Sequence, residues 1–350
     1  MLLFLKRYLV ANAQKTRYTQ MNAKKLISLL LAVVMVMAIA LSAVACNKTE
    51  ENNEEKTYTV GICQLIQHPA LDAATQGFMD ALKAELGDKV TFLSENASGD
   101  PQVCNTIVET FVNKKVDLIM ANATPALQAA AKYEDIPILG TSITEYGVAL
   151  GIDNFSGTVG GNISGTSDLA PLDKQADMIL ELFPEAKTVG LLYCSAEANS
   201  KYQVKVVGDY LKAKGITVTD YAFENSNDAT IVAATAASAC DVLYIPTDNT
   251  AANAAEAINN VIGDTPVIAG EEGICSGTGV ATLTLSYYDL GVATGKMAAK
   301  ILKGEADIST MPIEYVSADN LTKKYNAEKC AQLGIDTEAL EAAGYVAIGD

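Results

Sequence analysis

The sequence predicts an α/β protein made of two similar, doubly wound parallel-sheet lobes. The main observation is an internal repeat, in which residues 59–140 are echoed in order by residues 188–270. Each half opens with a short apolar strand beginning Thr-Val-Gly, and each strand leads through a polar loop into a helix. A repeated βαβ series of this kind binds ligands beyond the carboxyl ends of its strands. The cleft between the lobes is therefore the expected site.

The elements of the two halves correspond one by one. The first helices end alike, in GFMDALKAELG and GDYLKAKG, and the next buried strands read DLIMA at 117–121 and DVLYI at 241–245. Each half closes on a further apolar strand, IPILG at 136–140 or TPVIAG at 265–270. Tandem independent domains are the alternative. Two observations favour paired lobes instead. No Pro/Gly/Ser-rich linker separates the halves, and the chain after Ser286 is needed to complete both of them.

Residues 1–45 comprise the pattern of an export signal that begins at Met21 and an extension before it, at residues 1–20. The extension suggests a start codon assigned too early. Two lysines at 24–25 precede an apolar run at 26–41, and small residues stand directly before Cys46. This order is typical of a bacterial lipoprotein, so we predict lipidation of Cys46 and anchoring to the outer face of the cell membrane. Simple cleavage with secretion is the alternative. The run is short for a membrane span, which needs about 20 residues.

The composition excludes several classes of function. A net charge of −17 disfavours nucleic-acid partners, and residues 46–57 are polar and acidic, as expected for a flexible tether. The single histidine, His68, cannot build a His-rich metal site, and GxSxG, Walker A and GxGxxG motifs are missing. We therefore expect no catalytic residues, no metal and no cofactor. The six cysteines after Cys46 lie mostly in apolar positions, which predicts buried free thiols, with a disulfide as the alternative.

Matched polar loops follow the strands in both halves and supply the candidate site. Thr124, Asn199-Ser200 and Asp248-Asn249 occupy helix-cap positions, where backbone N–H groups suit a ligand carboxylate. Asp248 or Glu197 is suited to hold an ammonium group through a charge-assisted hydrogen bond. The alternative for each residue is simple capping of its own helix.

The chain from Tyr58 to Asp350 resembles the substrate-binding lipoproteins of ABC importers in the tryptophan/tyrosine-binding family. The resemblance rests on VGICQLIQHPALDAATQGF, NATPALQAA, GLLYCSAEANS, YIPTDNT and YYDLGVATGKMAAKIL. It implies a type I periplasmic-binding-protein fold, an amino acid ligand, often aromatic, a membrane permease as partner and no enzymatic activity. With the loop analysis, it gives these candidate ligand contacts: Leu65, His68, Leu71, Thr124, Thr141, Ser142, Thr144, Tyr146, Glu197, Asn199, Ser200, Asp248, Asn249, Glu271 and Tyr287.

The resemblance also implies a hinge of three segments, which we place near residues 162–172, 283–287 and 308–315. Lobe 1 then comprises 58–168 plus 285–307, and lobe 2 comprises 169–284 plus 308–350. We expect a monomer. Binding of a nucleoside, sugar or small organic acid stays open, as does a sensory lipoprotein that presents its ligand to a receptor kinase.

Two departures from the family pattern affect the expected ligand. Ser286 stands where the family usually has Asp, and the segment around Glu271 is altered. If either position contacts the ligand side chain, the preference has moved away from tryptophan.

Overall fold

The computed structural model describes residues 56–317 and 320–349, together with Asn12. The predicted signal peptide, Cys46 and the tether up to residue 55 lie outside the described residues. Residues 57–350 form one compact unit that contains both predicted lobes. Within the described residues, none of the helices combines the length and the apolar character of a membrane-spanning helix.

The first lobe is a parallel sheet with strand order β11-β5-β4-β3-β1-β2, with elements numbered along the whole chain. Its strands are β1 (Tyr58–Gln64), β2 (Val90–Asn96), β3 (Leu118–Asn122), β4 (Ile138–Ile143), β5 (Ile163–Ser167) and β11 (Glu314–Tyr315). Its helices are α1 (Pro69–Leu86), α2 (Pro101–Asn113), α3 (Thr124–Ala130), α4 (Tyr146–Leu150) and α11 (Tyr287–Lys303). Short 3₁₀ helices span Gly87–Lys89 and Ile308–Thr310. Strands β3 and β4 are buried along their whole length, as expected for a sheet covered by helices on both faces.

The second lobe repeats this plan in the order β13-β12-β10-β9-β8-β6-β7. Its strands are β6 (Thr188–Cys194), β7 (Thr217–Phe223), β8 (Val242–Ile245), β9 (Val267–Ala269), β10 (Ala281–Thr284), β12 (Thr322–Tyr325) and β13 (Val346–Ala347). Its helices are α5 (Leu172–Leu182), α6 (Ala198–Ala213), α7 (Ser226–Ala239), α8 (Asn249–Asn253), α9 (Ala255–Ile262), α10 (Glu272–Gly277), α12 (Ala327–Leu333) and α13 (Thr337–Ala342). Only β12 runs antiparallel to its neighbour β10 among the described pairs. The prediction of two similar parallel-sheet lobes is confirmed.

The packing of α1 against α11 brings the second crossing segment into the first lobe. A Cβ atom at Gly77 would overlap the carbonyl oxygen of Tyr288, and one at Gly291 would overlap that of Ala74. Glycine at both positions therefore permits a close approach of the two helix backbones. This contact fixes the start of α11, and with it Tyr287, beside the first lobe's strand ends.

Three segments cross between the lobes. The first follows β5 and leads to α5, and the second joins β10 to α11. The third was expected at 308–315, with 308–350 assigned to lobe 2, and the structure corrects this. Glu314 and Tyr315 pair with β5 in the first sheet, and Ile308 and Ile313 pack into first-lobe clusters. The third crossing therefore lies between β11 and β12. A two-residue, exposed strand has no hydrophobic alternation by which the sequence could reveal it.

The cysteines of the described chain are free thiols, and all but Cys240 are buried. This agrees with their positions in apolar strands and helices. They are Cys63, Cys104, Cys194, Cys240, Cys275 and Cys330.

Candidate functional site

The carboxyl ends of the strands in both lobes enclose a small buried chamber. Its volume is about 10 Å³, room for roughly one water molecule, so the lobes are in a closed arrangement. A larger groove of about 1340 Å³ opens beside it and shares His68, Ala252, Glu271 and Tyr287 with the chamber wall. The chamber is lined by His68, Leu71, Ser142, Thr144, Asp168, Asn199, Thr247, Asp248, Asn249, Ala252, Glu271 and Tyr287.

One hydrogen bond in the chamber wall joins the two lobes. His68 stands at the N-cap of α1, and its Nε2 lies 3.2 Å from Oδ1 of Asn249 at the start of α8. Nδ2 of Asn249 donates to Glu197 at 2.7 Å, which fixes the orientation of the amide. Because an amide oxygen only accepts, Nε2 of His68 carries the proton. In the neutral imidazole, Nδ1 of His68 is then a buried acceptor without a protein partner.

Glu197 holds the start of α8 rather than facing the chamber with a free oxygen. Its Oε1 accepts from the backbone N–H and the hydroxyl of Thr250, at 2.9 and 2.8 Å. Its Oε2 accepts from the backbone N–H and Nδ2 of Asn249, at 3.1 and 2.7 Å. These bonds satisfy the helix-terminal N–H groups that would otherwise be available to a ligand carboxylate.

Asp248 and Glu271 are likewise bound to backbone N–H groups. Oδ1 of Asp248 accepts from Ala251 at 2.8 Å as a helix cap, and Oδ2 accepts from Cys194 on β6 at 2.7 Å. Burial raises the pKa of Asp248, and the nearby Glu197 carboxylate adds to the shift, while the backbone N–H groups oppose it. Glu271 caps α10 through Gly273 and Ile274. Both carboxylates therefore have a structural role.

Asp168 is the acidic residue of the chamber with a free oxygen. It follows β5, is 4% exposed, and its Oδ2 accepts a hydrogen bond from the hydroxyl of Tyr287 at 3.0 Å. Its Oδ1 is buried without a partner. Burial raises the pKa of Asp168 to about 6, although the hydrogen bond from Tyr287 and the nearby hydroxyl of Thr144 lower it. Sequence analysis missed Asp168, because this residue lies in the crossover between the halves and has no counterpart in the repeat.

Four polar atoms of the chamber wall are buried without a partner: His68 Nδ1, Ser142 Oγ, Asp168 Oδ1 and Asn199 Oδ1. Such atoms are uncommon in folded proteins, and leaving one unpaired costs about 1–3 kcal/mol. Three of the four accept hydrogen bonds only. Ser142 also has a positive φ of 55°, a conformation that is rare for residues other than glycine. The chamber therefore suits a polar group that is rich in hydrogen-bond donors.

Several predicted site residues do not line the chamber. Leu65 packs in the first-lobe core, and Thr124 is buried where α3 begins. The hydroxyl of Thr141 lies 3.3 Å from that of Thr166, while Tyr146 donates to the Thr166 carbonyl at 3.1 Å. Ser200 is fully buried and its hydroxyl bonds to Asn199. The sequence also missed Thr247 and Ala252, which lie at chamber-facing positions after β8.

The departure from the family pattern at Ser286 leaves the chamber unchanged. Its hydroxyl accepts from the backbone N–H of Asp289 at 3.1 Å and caps α11, a role that Asp also fills. Ser286 is exposed and lines only the outer groove. No cluster of three or more potential metal ligands occurs within the described part of the chain.

Comparison with known proteins identifies the family. The family described as ABC transporter substrate binding protein matches residues 59–343. The chain belongs to this family. A relative named tyrosine-binding protein, from Clostridioides difficile strain R20291, is 33% identical over 304 residues, which covers 83% of this chain and 88% of the relative.

Solved structures of related proteins share the fold. The ABC domain from Streptococcus pneumoniae in complex with L-Trp has a TM-score of 0.77 at 31% identity, covering 83% of this chain and all of the other. A conserved domain protein from Vibrio cholerae has a TM-score of 0.79 at 29% identity, covering 83% of this chain and 99% of the other. A ligand-free, open substrate-binding protein from Clostridium difficile has a TM-score of 0.63 at 34% identity. The match covers 83% of this chain and 99% of the other. The lower score against an open form agrees with the closed arrangement of the two lobes.

Proposed function

We propose that this ABC substrate-binding protein captures an aromatic L-amino acid between its lobes and holds the ligand's ammonium group at Asp168. The observation that carries the proposal is the free Oδ1 of Asp168, a buried carboxylate oxygen in a chamber formed by both lobes. The relative named for tyrosine and the neighbour in complex with L-Trp support an aromatic ligand.

The charges in the chamber wall favour a cationic ligand group. Asp168, Asp248 and Glu271 line the chamber, while the lining residues include neither Lys nor Arg. A buried carboxylate without a cation is unfavourable, and a primary ammonium supplies both the missing charge and three N–H donors. The acceptor atoms on His68 and Asn199 match the remaining donors.

The ligand carboxylate requires hydrogen-bond donors, which two helix N-termini provide. Neither α1 nor α6 has a side-chain hydrogen bond at its N-cap, and Leu71 and Asn199 in their first turns line the chamber. Uncapped N–H groups together with the helix dipole form a favourable site for an anion. The apolar surfaces of Leu71, Ala252 and Tyr287 then contact the aromatic ring.

Transport requires the lobes to separate and close again, because the closed chamber is too small for an amino acid. The three crossing segments act as a hinge, and closure buries the ligand and presents the loaded form to a membrane permease. We propose that the protein works outside the cytoplasm as a monomer, tethered through a lipid on Cys46.

Calorimetric titration of the mature chain tests this function. We expect saturable binding of at least one of L-tyrosine, L-tryptophan and L-phenylalanine, and no binding of representative nucleosides and sugars. Asp168→Asn should remove the binding, because the amide carries no charge to pair with the ammonium group. Binding of a nucleoside or sugar in place of all three amino acids would contradict the proposal.

A further inference from the structure

We propose that Tyr287 is a positioning residue that connects the ligand's amine site to the hinge. This inference rests on the proposed function, since it concerns the same carboxylate. Asp168 stands at the start of the first crossing segment, and Tyr287 stands at the end of the second. The hydroxyl of Tyr287 donates to Oδ2 of Asp168 at 3.0 Å and leaves Oδ1 for the ligand. One hydrogen bond therefore joins two of the three hinge segments directly beside the ligand.

The position of the Tyr287 ring is fixed by the frame around it. Ser286 caps α11 through the N–H of Asp289, and the backbone of α11 packs closely on α1 at Gly77 and Gly291. Tyr287 itself is 7% exposed. Its hydroxyl thus approaches Asp168 from a rigid helix rather than from a loop.

The surroundings make this hydroxyl the main local support of the Asp168 carboxylate. The hydroxyl of Thr144, after β4, is the other one within reach of Asp168. The Glu271 carboxylate repels the carboxylate of Asp168. The hydroxyl of Thr247 from the second lobe lies within reach of Tyr287. The titratable groups that face this region from the packed elements are those of Asp248, Glu271, His68, Tyr146 and Tyr287.

The arrangement couples occupancy of the site to the junction of two hinge segments. An ammonium group at Oδ1 favours the ionised form of Asp168, and a hydrogen bond to a charged acceptor is stronger than one to a neutral acceptor. Ligand binding therefore strengthens the Tyr287–Asp168 bond between the two crossing segments. A bound amine therefore stabilises the point where the two crossing segments meet.

The first test needs no ligand. Carboxyl ¹³C NMR titration of Asp168 should give a higher pKa in Tyr287→Phe than in the wild type, by roughly one unit, since the supporting hydrogen bond is lost. Tyr288→Phe is the matched control, because Tyr288 is 42% exposed and its hydroxyl bonds to Asp80 outside the chamber. The control should leave the titration of Asp168 unchanged. An unchanged Asp168 pKa in Tyr287→Phe would overturn the proposal.

The second test measures affinity for L-tyrosine and L-tryptophan between pH 5 and 8. Tyr287→Phe should bind roughly tenfold more weakly at pH 8, and its affinity should begin to fall at a higher pH than that of the wild type. A uniform loss with an unshifted pH profile would indicate a purely structural role for Tyr287 and overturn the proposal. If the wild-type protein bound no amino acid, the proposed function would fail, and the NMR titration alone would decide the role of Tyr287.

Discussion

Two buried aspartates face the same chamber and differ in what their oxygens contact. Asp248, after β8, has both oxygens bonded to backbone N–H groups, one at the start of α8 and one on β6. Asp168, after β5, has one oxygen bonded to a tyrosine hydroxyl and one without a partner. The Asp248 carboxylate stabilises the fold, and the free oxygen of Asp168 is available to a ligand. Burial and charge alone would not separate the two roles.

The largest expected effect separates the two aspartates by binding. Asp168→Asn should weaken amino acid binding by at least about 100-fold, since truncating one partner of a buried charge pair typically costs 2–5 kcal/mol. Asp248→Asn should weaken it much less per folded molecule, because both Asp248 oxygens are already committed to the backbone. Titration calorimetry at pH 7.5 on both variants measures this difference. Equal losses would remove the distinction between the two sites.

Stability should show the opposite order. Asp248→Ala removes a helix cap and a second bond to β6, for an expected loss of about 2–3 kcal/mol in the free energy of unfolding. At about 2–4 °C per kcal/mol for a domain of this size, the melting temperature should drop by roughly 4–12 °C. Asp168→Asn should melt near or above the wild type without ligand, because it removes an unpaired buried charge. A calorimetric scan in which Asp168→Asn melts well below Asp248→Ala would reverse our assignment.

The pH dependence of binding sharpens the same comparison. The folded-state pKa of Asp168 lies near 6, above its ordinary value, because of burial. Affinity for an amino acid should be constant above about pH 7 and fall towards tenfold per unit below pH 6 as the carboxylate is protonated. The stability of the ligand-free protein should change in the opposite direction. Because the carboxyl pKa is raised in the folded state, the contribution of Asp168 to the free energy of unfolding becomes more favourable as the pH falls through 6. Titrations from pH 5 to 8 with Asp168→Asn as the control check this, and an identical profile in both proteins would argue against Asp168.

The smallest effect concerns the bond between the lobes. His68→Ala removes the contact of Nε2 with Asn249 and the free Nδ1 acceptor, so we expect affinity to fall by roughly fivefold to tenfold. The loss should appear mainly as faster ligand dissociation, because the contact exists only when the lobes are closed. Stopped-flow measurement of both rates tests this. A change confined to the association rate would contradict a stabilising role of the His68–Asn249 bond in the closed form.

The repeat explains why the sequence predicted the lobes but not the full site. The paired strands and caps of the two halves supported each other, so the sheets and chamber residues such as Ser142, Asn199 and Asn249 could be placed. Asp168 lies in a crossing segment and the strand Glu314–Tyr315 lies just before one, and neither has a counterpart in the repeat. A capping position also does not reveal whether a carboxylate satisfies its own helix, as Asp248 does, or faces a ligand. That distinction depends on three-dimensional hydrogen-bond partners.

The central claim is that Asp168 recognises the amine of the ligand. The most direct measurement compares the affinity of L-tyrosine with that of 3-(4-hydroxyphenyl)propionate, which lacks only the amine, in the wild type and in Asp168→Asn. We predict that the wild type prefers L-tyrosine by at least about 100-fold and that the preference nearly disappears in the variant. A variant that kept the full preference for the amine would contradict the account.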